Sequence, residues 1–336
     1  MKFSILMPAY NGQDFIQQTI SNILGQSYKN FDLVIVDDCS SDNTLKIIKS
    51  FRDKRIKVFQ NKKNLGYPKN LEKCRKKAKG EIIYLLAQDD ILAPDALLNT
   101  YKAFKNHLKI GAVTLPYFWF DENVKKPVRA KKQLNLKKNE IVAISDSYER
   151  IVKVFQTLDQ LSGLAFRKKF LKLPFHQDIF TCHVYPFADI FKNHPIVFLK
   201  DYNTAVRIRS SQTRSLSSIY DKSPMQSWVD MVNTVYPGKN YDKFRKYFIK
   251  NFVAKNFVGL VQIRSYSKYK FLLREIYLLL KYRTENIFEP MFWFFAVLCL
   301  MTPPFLLILL TDWYKNKILK RTIAIPIRKL VGKVKQ

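Results

Sequence analysis

Residues 31–44 read FDLVIVDDCSSDNT and residues 81–90 read EIIYLLAQDD. Each is an apolar run, rich in β-branched or aromatic side chains, that stops abruptly in a pair of aspartates. Such side chains favour the extended chain, and a continuous apolar run of this length fits a strand covered on both faces. The pattern recurs on either side. FSILMP at 3–8 gives way to Ala9-Tyr10-Asn11, and IKVFQ at 56–60 leads into a loop holding Asn61, Asn64 and Gly66.

Between these runs the period changes. Phe15, Ile16, Thr19, Ile20, Ile23 and Leu24 recur at helical spacing, with Asn11 as the expected cap. Residues 42–51 read as a second helix capped by Ser40 or Ser41. Pro68 suits the first turn of a helix running to Lys79, and Gly80 the position just beyond its end. Pro94 is expected to open the next helix, and AVTLPYF at 112–118 to form a further strand. Strands alternating with helical stretches predict an α/β fold with a doubly wound, Rossmann-like, mostly parallel sheet flanked by helices. Ligands of such sheets bind outside the carboxyl ends of the strands. Here those ends carry acids and amides, with the cation Lys69 just beyond the third. No GxGxxG and no GxxxxGK[ST] is present, so neither a dinucleotide fingerprint nor a P-loop is supported. A carboxylate cluster suits a divalent metal, since Mg²⁺ takes one or two carboxylates and lets substrate phosphates fill other positions.

Composition narrows the classes. The chain has 336 residues, with 58 Lys+Arg against 27 Asp+Glu and 47% apolar residues, enough for a sizeable core. Its 14% aromatic content excludes a disordered chain. Cys39, Cys74, Cys182 and Cys299 are scattered and show no CxxC pair, which suits a reducing compartment rather than a disulfide scaffold. One lysine ahead of a strand-like run is unlike a secretory leader. A net charge of +31 calls for a partner of negative sign: nucleic acid, a nucleotide-bearing substrate or anionic lipid. Nucleic acid is the weakest of these, because the acids at the strand ends would repel a phosphate backbone and no nucleic-acid motif appears.

PAYN at 8–11, VDDCSSDNT at 36–44, NLGYPKN at 64–70 and AKGEIIYLLAQDDIL at 78–92 resemble, in order and spacing, the family 2 glycosyltransferases of GT-A fold. The resemblance is strong to about residue 120 and weaker to about 215. It implies an inverting transferase that takes a sugar from a nucleotide-sugar donor. It places Pro8, Tyr10, Asp37 and Asp38 at the nucleotide base and ribose, Asp38 being the favoured base contact. Asn64, Lys69 and Arg207 are carried over as donor-side residues, Arg207 lying in AVRIRSSQTRS at 205–215. The family's D-x-D-D metal motif falls on Ala87-Gln88-Asp89-Asp90. The first aspartate is therefore absent, and Asp89 and Asp90 remain for Mg²⁺ or Mn²⁺. On the acceptor side, SGLAFRKKFL at 162–171 matches the sugar-side strand. The usual Glu-Asp pair is missing from the segment that follows. Asp178 is the favoured general base, Asp189 the second choice and His183 the third, since a carboxylate or a neutral imidazole can take the acceptor hydroxyl's proton. A non-catalytic membrane scaffold on a decayed transferase domain is the alternative that these departures keep open.

The later residues read differently. Of the charges beyond residue 110, 39 are basic and 16 acidic, and residues 243–285 carry 11 basic and 2 acidic residues among many aromatics and leucines. MFWFFAVLCLMTPPFLLILL at 291–310 is uncharged, broken by Pro303-Pro304 and followed by a basic tail at 313–336. Its length just spans a bilayer, but a single span would place that tail outside, against the positive-inside tendency. A re-entrant hairpin keeps both basic flanks in the cytoplasm; a true span and a buried soluble hairpin are the alternatives. The expected organisation is a catalytic domain over 1–215 (nucleotide half 1–120, acceptor half 121–215), a basic helical region over 216–285 and an apolar segment with a basic tail over 286–336. The chain is expected at the cytoplasmic membrane face, using a glycan or lipid-linked acceptor, as in cell-surface polysaccharide synthesis.

Overall fold

The quoted runs form the centre of a sheet. In the computed structural model, which describes residues 1–208 and 218–317, they are strands β1 (Phe3–Ala9), β2 (Phe31–Asp37), β3 (Ile56–Gln60) and β4 (Ile82–Leu85). Helices α1 (Ile16–Leu24), α2 (Thr44–Ser50) and α3 (Tyr67–Lys77) connect them. There follow β5 (Ile91–Leu92), α4 (Ala96–Asn106), β6 (Ala112–Thr114), β7 (Tyr117–Phe120), β8 (Pro127–Ala130) and β9 (Glu140–Val142). Then come α5 (Tyr148–Phe155), β10 (Ala165–Arg167), α6 (Val184–Asn193), β11 (Ile196–Phe198) and β12 (Thr204–Arg207). Together they make one compact unit, Met1–Ile208.

The main sheet runs β3-β2-β1-β4-β10-β6-β11-β9, and a second sheet runs β5-β12-β7-β8. β1 pairs in parallel with β2 on one side and β4 on the other, so the order reverses at β1. This is the switch point at which a doubly wound sheet opens a crevice. The sheet is mixed: β10 runs antiparallel between β4 and β6. All seven residues of β2 are buried, as two-sided cover requires, and Phe3, Ile5, Met7, Ile16, Ile20, Leu33, Ile35, Tyr84 and Leu97 share one core. Register sets the site: Ala9 stands opposite Asp37, and Asp37 opposite Gln60. Leu86 N–H donates to Leu6 at 3.1 Å, which brings the residues after β4 alongside the end of β1.

Several local expectations change. Asn11 does not cap α1, which begins at Ile16; it takes a positive φ of 45° and binds the loop after β2 instead. α2 begins at Thr44, and Asp42 rather than Ser40 or Ser41 accepts from the Thr44 N–H, at 2.9 Å. α3 ends at Lys77, and Gly80 is needed for a different reason. A Cβ there would lie 2.5 Å from Ser4 N, so the chain entering β4 passes β1 too closely for any side chain. AVTLPYF is two strands in two sheets, because Pro116 has no N–H to continue the ladder.

The second unit begins after Ile208; its described residues, 218–317, are helical. It comprises α7 (Pro224–Val235), α8 (Asp242–Asn251), α9 (Gly259–Tyr266), α10 (Tyr269–Tyr282), α11 (Pro290–Met301) and α12 (Pro304–Lys317). Its core joins Met225, Val229 and Val232 of α7 with Phe244, Phe248, Leu260, Ile263, Leu272 and Leu279. Buried Asn286 donates to the Ala254 and Leu279 carbonyls at 2.9 and 2.8 Å, tying the turn after α10 to its neighbours. The expected apolar stretch is two helices broken at Thr302-Pro303, and no helix among the described residues is long and apolar enough to cross a membrane. The later part of the 205–215 arginine segment and most of the basic tail lie outside the described residues.

Candidate active site

The rim of the crevice is built by side chains that cross between loops far apart in sequence. Gln88, just past β4, accepts from the Tyr10 N–H at 3.0 Å and donates to the Tyr10 carbonyl at 2.9 Å. This reciprocal pair locks the end of β1 to the end of β4. Gly12 makes room for it: a Cβ there would lie 2.4 Å from Gln88 Oε1. The turn then joins the loop after β2. Asn11 N–H donates to Ser40 Oγ at 2.9 Å, Ser41 N–H to Asn11 Oδ1 at 2.9 Å, and Gly12 N–H to Thr44 Oγ1 at 2.7 Å. Tyr10 itself is exposed.

Asp37 and Asp38 are both buried, and each holds a loop. Asp37 accepts from Ser40 N–H at 3.2 Å and Ser40 Oγ at 2.5 Å. Asp38 accepts from Asn61 Nδ2 at 2.6 Å and from the Leu65 and Gly66 N–H groups, each at 2.9 Å. The carboxylate favoured as the base contact therefore shapes the 61–66 loop. Asn64 caps that loop locally, accepting from Gly66 N–H at 2.9 Å. Lys69 is exposed on α3, and Lys73, one turn later, joins the network by donating to Asn61 Oδ1 at 2.8 Å. Asn70, buried, donates to the Val36 carbonyl at 2.8 Å and braces the end of β2.

The two aspartates after Gln88 part ways. Asp90 is buried, accepting from Ser162 Oγ at 2.5 Å through one oxygen and from the Arg207 N–H at 2.9 Å through the other. Burial, reinforced by neighbouring Asp89, raises its carboxyl well above the ordinary carboxylate range. Ser162 also accepts from the Ala87 N–H at 2.9 Å, so one hydroxyl holds both ends of the 87–90 turn. Gly163 follows at φ 91°, where a Cβ would meet Thr204 Oγ1 and Leu115 at 2.6 Å. Asp89 is half-buried. Its main-chain carbonyl accepts from Arg207 Nε at 3.0 Å, and its negative charge acts on the same guanidinium. Arg207 is itself buried between the Phe15 and Phe120 rings, its centre 4.7 and 4.6 Å from theirs, and donates to Gln18 at 2.7 Å. It braces the 87–90 turn.

Among the described residues no three His, Cys, Asp or Glu side chains cluster as a ready metal cage. Both Asp90 oxygens are engaged within the fold, and half-buried Asp89 stands beside it in the same turn. One carboxylate with diphosphate oxygens falls within the Mg²⁺ pattern.

On the acceptor side, Asp178 is buried and its Oδ1 accepts from the Phe180 and Thr181 N–H groups at 2.9 and 3.0 Å and from Thr181 Oγ1 at 3.0 Å. Asp189 is half-buried on α6. His183 is buried, with Nε2 2.8 Å from the Leu158 carbonyl, and burial pulls its pKa down to about 4. An imidazole that donates inward in this way is poorly placed to receive a proton from a substrate. Gly12 and Lys73 were not singled out from sequence; Gln88, Asn61 and Ser162 stood in quoted strand-end segments with no individual role assigned to them.

Comparison with known proteins agrees with this geometry. Residues 4–169 match the family model "Glycosyl transferase family 2". The putative glycosyltransferase EpsE of Bacillus subtilis is 35% identical over 124 residues, 36% of this chain and 45% of EpsE. TarS of Staphylococcus aureus, a poly(ribitol-phosphate) β-N-acetylglucosaminyltransferase, is 33% identical over 111 residues, 32% of this chain and 19% of TarS. The chain spans about half the length, or less, of these curated relatives. In structure, TarS 1–349, solved with UDP-GlcNAc, superposes with TM-score 0.64 at 20% identity over 84% of this chain and 80% of that one. The mannosyltransferase PcManGT of Pyrobaculum calidifontis, solved with GDP-Man and Mn²⁺, superposes with TM-score 0.53 at 16% identity over 89% and 87%. These structural likenesses are of fold, the GT-A α/β fold with a mixed sheet flanked by helices. With sheet order, crevice and family model in agreement, residues 4–169 belong to glycosyl transferase family 2.

Proposed function

We propose that the chain is an inverting glycosyltransferase that moves a sugar from a nucleoside-diphosphate sugar to a hydroxyl of a glycan or lipid-linked acceptor. The observation that carries this reading is the rim at the β1 switch point. There the Tyr10 turn, the Asp37–Asp38 loop and the Gln88–Asp89–Asp90 turn are hydrogen-bonded into one wall. TarS and PcManGT, solved with UDP-GlcNAc and GDP-Man, support a nucleotide-sugar donor at such a crevice.

In this reading exposed Tyr10 covers the base, while Asp38 and Asn61 hold the loop beside it. Asp89 would hold the Mg²⁺ or Mn²⁺ of the donor complex. The cation, when bound, offsets the negative charge that grows on the leaving diphosphate. Asp90 and Arg207 fix the main chain that carries Asp89. On the opposite side Asp178 takes the proton of the attacking hydroxyl. TarS and EpsE, relatives named as glycosyltransferases, together with the basic later part of the chain, favour cell-surface polysaccharide synthesis at the cytoplasmic membrane face.

The test is a thermal-shift screen of nucleotide sugars with and without Mn²⁺, followed by assay of nucleoside diphosphate release. A bound donor raises the unfolding temperature by mass action. A metal-dependent shift with one or two donors is the expected result; no shift with any donor would favour the decayed scaffold.

A further inference from the structure

We propose that α11 and α12 lie in the plane of one leaflet of an anionic bilayer and dock the chain there without crossing it. This goes beyond the transferase reading and does not depend on it.

Over the described residues the two helices have 12 and 14 residues, so at about 1.5 Å per residue they extend roughly 18–21 Å there, short of a hydrocarbon core of about 30 Å. Nor do they form a hairpin free to plunge into lipid. Both pack on α9, α11 through Phe292, Ala296 and Cys299 and α12 through Leu307. At the break between them Arg264 of α9 donates to the Thr302 carbonyl at 3.1 Å. That guanidinium holds the turn at the level of α9, so the pair rests flat against the unit that carries it.

Their outward faces have no polar side to give to water. Between Glu289 and Asp312 the sequence has no charged residue. Phe294, Met301, Phe305, Leu309 and Trp313 are each more than half exposed, as is Phe288 just ahead of α11. A surface helix of a soluble domain normally turns charged residues outward, and apolar patches of this extent mark an interaction site. Trp293, Trp313 and Tyr314 bring the amphipathic rings that favour the headgroup level.

Charge decides between lipid and a second copy of the chain. Residues 243–285 carry 11 basic and 2 acidic residues, and Lys255, Lys268, Lys270 and Lys281 are exposed. On α10 Tyr269, Leu273, Tyr277 and Lys281 recur every fourth residue along one exposed face. An apolar face beside a strongly basic one complements anionic lipid headgroups, which attract each lysine near the surface. Two copies meeting through this face would bring like charges together.

The experiment floats the full-length, detergent-purified chain with vesicles of phosphatidylcholine alone or with about one-third phosphatidylglycerol. The chain should float with the anionic vesicles and stay attached in about 1 M salt, where the Debye length shrinks to about 3 Å. Phe294→Glu with Leu309→Glu should lower the floated fraction about tenfold or more, while the thermal unfolding midpoint and donor-induced shift stay unchanged. Three results would overturn the proposal: full-length protein that stays out of the anionic vesicle fraction, a double variant that floats as well as the parent, and a detergent-free dimer that the double variant dissolves. No nucleotide sugar enters the flotation, so its failure leaves the transferase reading standing.

Discussion

Gly12 shows how a single hydrogen atom positions a crevice wall. The Cβ of Gly12→Ala would meet the amide of Gln88, the far end of a flexible side chain, so the side chain would swing aside and the backbone would stay. The cost is the pair of hydrogen bonds to Tyr10, each worth about 1 kcal/mol net. Gly12→Ala is therefore expected to lower the unfolding temperature by several degrees and to weaken donor binding roughly tenfold; thermal unfolding and titration calorimetry with the donor check it. Asp89→Asn separates metal from scaffold in the same turn. Arg207 grips the main-chain carbonyl of residue 89, so the substitution leaves the brace in place. Mn²⁺-dependent donor binding should vanish while circular dichroism and metal-free stability persist; unchanged Mn²⁺-dependent binding would remove Asp89 from the metal role. At this scale the sequence was informative only where chemistry and position coincide. Asp37, Asp38 and Asp89 stand out because an acid ending an apolar strand is conspicuous. Gln88 and Ser162 do not, because their roles arise from partners more than seventy residues away.

Among the elements, strands β1 to β4 were legible because each is a run of four to seven mostly apolar residues, those of β1, β2 and β4 almost wholly buried and those of β3 at the sheet edge. β5, β9 and β10 have two or three residues and no readable period, and the second sheet exists only because β12 returns to pair with β7 and β5. That return also places the Arg207 N–H on Asp90, which is why the acid next to Asp89 turned out to be a strut. The segment before α6 belongs to this scale as well. Asp178 Oδ1 caps the 180–181 turn, and an asparagine oxygen can accept the same bonds. Asp178→Asn should thus keep the turn and donor binding yet slow transfer by roughly 10²–10⁴-fold, the usual range for a lost general base. If Asp189→Asn slows transfer in that way and Asp178→Asn does not, the base is on α6.

Across the whole molecule the two units carry buried titratable groups of opposite effect. In the first, burial pulls the His183 pKa down to about 4, below the ordinary imidazole value of 6.5. The unfolded chain therefore takes up the proton first as pH falls. His183 contributes stability that is fully present above about pH 6.5 and is lost as pH falls through about 4, a total of about 3 kcal/mol at 1.36 kcal/mol per unit. In the second unit, burial raises the Glu275 carboxyl, whose Oε1 accepts from Ser223 Oγ and the Met225 N–H, each at 2.9 Å. A raised carboxyl contributes stability that is present below the ordinary carboxylate pKa and is lost as pH rises through its folded value. Acidification from neutrality should therefore remove the His183 contribution from the first unit, against a gain there from the raised carboxyl of Asp90, and should favour the second unit through Glu275. Glu275→Gln, which retains an acceptor oxygen for both donors, should flatten the second unit's loss with rising pH. His183→Gln should remove the part of the first unit's pH dependence that opposes Asp90 between about pH 6.5 and 4, so that the unit gains more stability on acidification than the parent does. Denaturant unfolding across that range, read by hydrogen exchange in each unit, tests both. An acid slope in residues 1–208 that survives His183→Gln would show that another group carries it.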